Sequence, residues 1–74
     1  MKPDLTKKAI AANIEAMRQI LTDAVIRASE AFQAIQAGEQ NQAIGAMLGL
    51  DRALEDALAL YRAAVALHRT GRAP

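Results

Sequence analysis

From Leu5 to Ala37 the chain runs about 33 residues without a glycine or a proline. That unbroken stretch, rich in Ala, Ile, Gln and other good helix formers, predicts one long helix. Within it Ile10, Ile14, Met17, Leu21, Ala24, Ala28, Ala31 and Ile35 recur at steps of four and three, a heptad-like spacing that lines up one helix face. Val25, Ile26 and Phe32 widen the seam, while Lys7, Lys8, Glu15, Arg18 and Glu30 lie mainly elsewhere. Asp23 and Arg27 stand one turn apart, as an ion pair needs. Asp4 or Thr6 is expected to cap the start, with Pro3 just outside. At 1.5 Å per residue such a helix spans about 50 Å.

Gly38 follows at once. A glycine takes the left-handed conformation that ends a helix at no steric cost. "GEQNQ" then gives a polar turn, with Asn41 as the expected N-cap of a second helix. A connection this short favours antiparallel neighbours. The expected plan is therefore one all-α domain: an antiparallel helical hairpin with helices over about 5–37 and 42–69, a turn at 38–41, and a frayed tail at 70–74. His68 and Arg69 suit the negative end of the second helix dipole.

The second helix is apolar on more than one face. One seam reads Met47, Leu50, Leu54, Ala57, Tyr61, Ala64; another reads Ala46, Leu50, Ala53, Leu60, Leu67; Leu58 and Val65 lie beside the first. One partner helix covers about one such stripe, so apolar surface is left over, and surplus of that kind marks an interaction site. Gly45 and Gly49 are four residues apart and, in one continuous helix, share a face that another helix could approach closely. A glycine inside a helix costs roughly 0.5–1 kcal/mol relative to Ala, which makes 42–50 the weakest part of that helix. The other arrangement starts the main helix at Leu50–Asp51 and leaves 39–49 as a short, loose one. The continuous helix is the favoured expectation.

Composition narrows the function classes. The chain has 74 residues, no Cys, no Trp, one Phe and one Tyr, and a formal net charge of +1. A chain of this size buries little of its surface and commonly needs a staple or a partner. Without Cys there is neither a disulfide nor a thiolate. The near-zero charge gives no strong drive toward nucleic acid, no apolar run reaches a membrane span, and the basic "MKPDLTKK" is not followed by the apolar stretch of a secretory signal. These features point to a cytoplasmic protein. Glu55 and Asp56 are adjacent, so they diverge around the helix and cannot work as an acid–base pair. His68 is the one histidine, no Glu-x-x-His motif accompanies it, and no Gly-rich phosphate loop occurs. No enzyme, cofactor or metal site is expected. The basic residues are spread out, with acids interleaved and no aromatic row for stacking bases, so nucleic acid is not the expected partner.

The stretch Gly38–Tyr61, with its Gly-ended first helix, Gln-containing polar turn and "RALEDALAL" (Arg52–Leu60), resembles the second half of the small helical co-chaperones of type III secretion needle subunits, the Ysc/Psc E family. It departs from them at Ala43-Ile44, where relatives carry a Gln-Tyr-like pair, and in Gly45 and Gly49, which are extra. Leu21–Arg27 and Ala34–Gly38 are also similar to stretches of the flagellin export chaperones, which are longer bundles. The first resemblance implies a hairpin that docks on a helical-repeat chaperone, which in turn shields the needle subunit. The residues expected to form the partner interface are Met47, Leu50, Leu54, Leu58, Tyr61 and Val65. The alternative role for at least half of them is the hairpin's own core, packed against Ile14, Met17, Leu21, Val25 and Phe32. A self-assembling four-helix-bundle regulator or adaptor that binds RNA or another protein is the other functional expectation, in the manner of the Rop-type hairpins, whose second helix "ALYRAAVALHR" (Ala59–Arg69) resembles.

Overall fold

The computed structural model describes residues 2–72, with side chains through Gly71. It is an all-α hairpin of three helices: α1 (Pro3–Gln36), α2 (Gln40–Met47) and α3 (Leu50–Arg72). The first helix packs against both α2 and α3, and the Cα trace measures 57 × 15 × 12 Å. The molecule is thus a thin double rod.

Both turns rest on glycines with positive φ. Gly38 (φ +81°) ends α1 as expected. Its N–H donates to the Ile35 carbonyl at 3.1 Å and that of Glu39 donates to Ala34 at 2.9 Å, the paired bonds of a Schellman end. Gly49 (φ +91°) breaks the return arm. Leu48 is extended at φ −61°, ψ 131°, and this pair of conformations is that of a type II turn, which needs glycine at its third residue. The expected continuous helix over 42–69 is therefore corrected to two helices, the second beginning at Leu50 after Gly49. Gly45 lies inside α2 and nothing comes within 4 Å of a Cβ placed there, so no other helix of the hairpin packs against it.

The ends also differ from expectation. Pro3 is the first residue of α1 and Lys2 its N-cap, with no side-chain cap; the Thr6 hydroxyl instead donates back to the Lys2 carbonyl at 3.2 Å. Glu39, not Asn41, is the N-cap residue of α2. Thr70 and Gly71, expected in a frayed tail, belong to α3, because Gly71 lies against α1: a Cβ there would meet Thr6 Cγ2 at 2.9 Å. Residues 73–74 of the expected tail lie outside the described residues.

The packing seam is built from small residues. Among the described residues the buried apolar ones are Ala24, Ala31, Ala34, Ala43 and Ala57, and the buried polar one is Thr6. Ile10, Met17, Ala24 and Ala31 of α1 form one inward column, and Asn13, Ile20, Arg27 and Ala34 the next; all are buried or half-buried. Opposite them Leu50, Ala57 and Ala64 of α3 are flanked by Ala53, Leu60 and Leu67. The expected seam is right at Ile10, Met17, Ala24 and Ala31 and one column off elsewhere. Ile14, Leu21 and Ile35 are exposed, as is Ala28, and Asn13, Ile20, Arg27 and Ala34 take the inner place. Ala24, Ala31 and Ala34 are the most deeply buried residues of these α1 columns, and a methyl side chain lets the backbones come close there, while the larger Ile10, Met17 and Ile20 are half-buried beside them.

The glycines make opposite predictions. Gly49→Ala places a side chain at φ +91° and against Arg27 Nη1 at 3.2 Å, so it destabilises the fold by about 1–2 kcal/mol. Gly45→Ala, in open space, stabilises it by roughly 0.5–1 kcal/mol. Urea unfolding of the two variants beside the parent measures both signs. Gly71→Ala is limited by Thr6. Made in a Thr6→Ser background, which removes Cγ2 and keeps the hydroxyl, it becomes stabilising by up to about 1 kcal/mol, and a double-mutant cycle reads the coupling.

Candidate interaction face

The two sides of the hairpin differ in chemistry. On one side the crevice between the rods is lined by Gln19, Asp23 and Arg27 of α1 and by Gly49, Arg52 and Asp56 around the start of α3. Asp23 pairs with Arg27 at 3.2 Å and Arg52 with Asp56 at 3.8 Å, each within one turn of its own helix. Arg27 is half-buried and its guanidinium fills the space that the missing Gly49 side chain leaves.

On the other side the crevice is apolar along the rod. Toward the chain ends it is lined by Ile14 and Met17 of α1 and by Tyr61, Val65 and His68 of α3. Toward the turn it is lined by Phe32 and Ile35 of α1 and by Ile44, Met47 and Leu50 of the return arm. These are stretches of one face: Ile14, Leu21, Ala28 and Ile35 are spaced by sevens on α1, as are Leu54 and Tyr61 on α3, and a seven-residue step returns to nearly the same side of a helix, while Met47 at the end of α2 borders the same crevice beside Ile35. Val25 and Phe32, and Leu58 with Val65, form the outer columns of the same face.

The expected interface residues divide accordingly. Leu54 (53% exposed), Leu58 (44%), Tyr61 (54%) and Met47 (48%) stand open on this face. Leu50 is half-buried in the seam and Val65 half-buried at its edge. The core role proposed for their α1 neighbours is corrected: Ile14, Leu21, Val25 and Phe32 are exposed and only Met17 is half-buried. The α1 half of the face was therefore missed. Its signal was present in the columns 14-21-28-35 and 25-32, once the alanine-bearing columns beside them are assigned to the seam.

The surface is larger than the mass calls for. A folded monomer of 7.9 kDa exposes about 4,400 Å² on the usual size scaling, and this chain exposes 5775 Å². Among the described residues no side chain is fully buried. Both facts follow from the alanine seam, which brings the rods together but encloses no interior.

Electrostatics on α1 are local. Arg18 donates to Glu15 through Nε at 2.8 Å and Nη2 at 2.6 Å, and Gln19 Nε2 adds a bond at 3.1 Å. The Arg18 hydrogen bonds, with help from Gln19, hold the Glu15 carboxyl at about 2, down from 4.5, and the same pairing raises Arg18. Among the described residues no group of three or more His, Asp or Glu side chains is placed to hold a metal ion, and no helix is long and apolar enough to cross a membrane. No family model, no curated protein and no solved structure matches the chain.

The Glu15 pair gives a direct titration. Because the folded carboxyl lies below its ordinary value, the pair is fully formed above about pH 4.5 and is lost as pH falls toward 2. A carboxyl-carbon NMR titration of Glu15 is expected to show a midpoint near pH 2, moving up toward 4.5 in Arg18→Gln. An unmoved midpoint would remove the pairing as its cause.

Proposed function

We propose that this chain is a non-enzymatic protein-interaction module: half of a helical bundle whose apolar face is completed by helices of another protein chain. The observation that carries this is the distribution of apolar side chains. Alanines are the apolar residues it buries, whereas Ile14, Leu21, Phe32, Leu54, Leu58 and Tyr61 stand in solvent. A continuous apolar face of this length, bordered by paired charges, is the mark of a docking surface. Tyr61 is its best anchor, since its ring packs while its hydroxyl stays wet. A protein is favoured over nucleic acid because Arg18, Arg27 and Arg52 each have an acidic partner on their own helix.

A narrower form of this reading is a cytoplasmic export co-chaperone acting on a helical-repeat chaperone of a type III secretion needle subunit. It is supported by the place of the resembling stretch: Leu54 and Leu58 of "RALEDALAL" lie on the open face and Gly38 forms the helix end that the resemblance implies.

The test uses an apolar fluorescent dye and thermal unfolding, on the parent and on Leu54→Gln/Leu58→Gln, from nanomolar concentration upward. At high dilution the parent is expected to bind dye and melt broadly. It should gain stability with concentration or with a partner, and the variant should lose most of the dye signal while keeping its helical circular dichroism. A parent that binds no dye and melts sharply at one temperature at every concentration would overturn the proposal.

A further inference from the structure

Resting on that reading, we infer that the occupant of the apolar face is a second copy of this chain, related to the first by a twofold rotation about the long axis of the hairpin. Three observations lead there. The first is the shape of the vacancy. The face carries two parallel apolar columns, one on each rod, so a single helix covers only part of it. Full cover requires two antiparallel helices at matching spacing and of matching length, and the chain itself is such a pair.

The second is register. Thr6 stands level with Gly71 and Arg27 with Gly49, which places Leu21 level with Asp56 and Ile14 level with Ala63. Rotation about the long axis keeps every residue at its own level and lays α1 on the α3 of the other copy. Leu21 then falls between Leu54 and Leu58 of that copy, Ile14 beside Tyr61 and Val65, and Phe32 beside Ile44. Apolar meets apolar at these positions, while Arg18, seven residues before Val25, and Asp51, seven before Leu58, stand in the outer columns. Rotation about an axis across the rods does not achieve this. It sets α1 on α1 about its middle, carrying Phe32 onto Lys7 and Ile35 onto Asp4.

The third is area. The exposed surface exceeds that of a monomer of this mass by about 1,400 Å², and a stable protein–protein interface takes roughly 800 Å² from each partner. A face of about 57 by 15 Å is of that order. The isologous pairing is closed, so it ends at two copies instead of continuing into a filament.

The absence of cysteine makes the test clean. Sedimentation equilibrium of the 74-residue chain at micromolar concentration is expected to give twice its 7.9 kDa mass, and Leu21→Glu should halve it. In case that variant unfolds, chains carrying Leu21→Cys and Leu54→Cys are mixed and oxidised, because a disulfide joins only residues on directly facing helices and does not reach across the bundle axis. The mixture should give a cross-linked dimer of one of each, and either variant alone should give little. Cross-linking of Leu21→Cys with itself at equal yield would overturn the proposal, as would a monomer or a larger oligomer. A monomer that binds the apolar dye removes self-docking and leaves the interaction-module reading standing. A monomer that binds none removes both.

Discussion

The most deeply buried contacts between the two rods are made at alanines, and the character of the exposed surface follows from that choice. Ala24, Ala31 and Ala34 on α1 and Ala43 and Ala57 on the return arm are the buried apolar residues among those described, and at such positions the backbones can approach without larger side chains between them. Close approach gives good van der Waals contact along the seam but leaves no interior volume. Leucines and isoleucines that would fill the centre of a wider hairpin are turned to its flank. The apolar face is thus what remains when small residues take the contact positions.

The polar side shows the complementary arrangement. Arg27 occupies a position in the inner columns, yet it is accommodated because Gly49 has no side chain and Asp23 accepts its guanidinium. One glycine therefore does two things. It supplies the positive φ that turns α2 into α3, and it vacates the space in which a charged residue crosses the seam. This fixes which side of the hairpin is polar, and with it which side is left apolar.

Much of this was legible in the sequence. A glycine-free run ended by Gly38 defined the first helix and its terminus, and the steps of four and three located Ile10, Met17, Ala24 and Ala31 correctly. What was not legible was the choice between two adjacent heptad seams. Hydrophobicity favours the one through Ile14, Leu21 and Ile35, and packing chose the one through Asn13, Ile20, Arg27 and Ala34. Binary pattern counts apolar residues but does not weigh how near two backbones can come. The break at Leu48–Gly49 reads as the less favoured of two arrangements, and it is the one the chain adopts: a glycine four residues after another reads as a small-residue face until its φ is known. For the same cause Met47, Leu54, Leu58 and Tyr61 were found as interface residues while their counterparts on α1 were assigned to the core.

The contact of Thr6 with Gly71 brings the start of α1 and the end of α3 to one pole of the rod. Any polypeptide continuing from either end, whether a natural neighbour or an attached label, leaves from that pole. The opposite tip, carrying Gly38 and Glu39, stays unencumbered, and the hairpin can be tethered by its base while its full length projects outward.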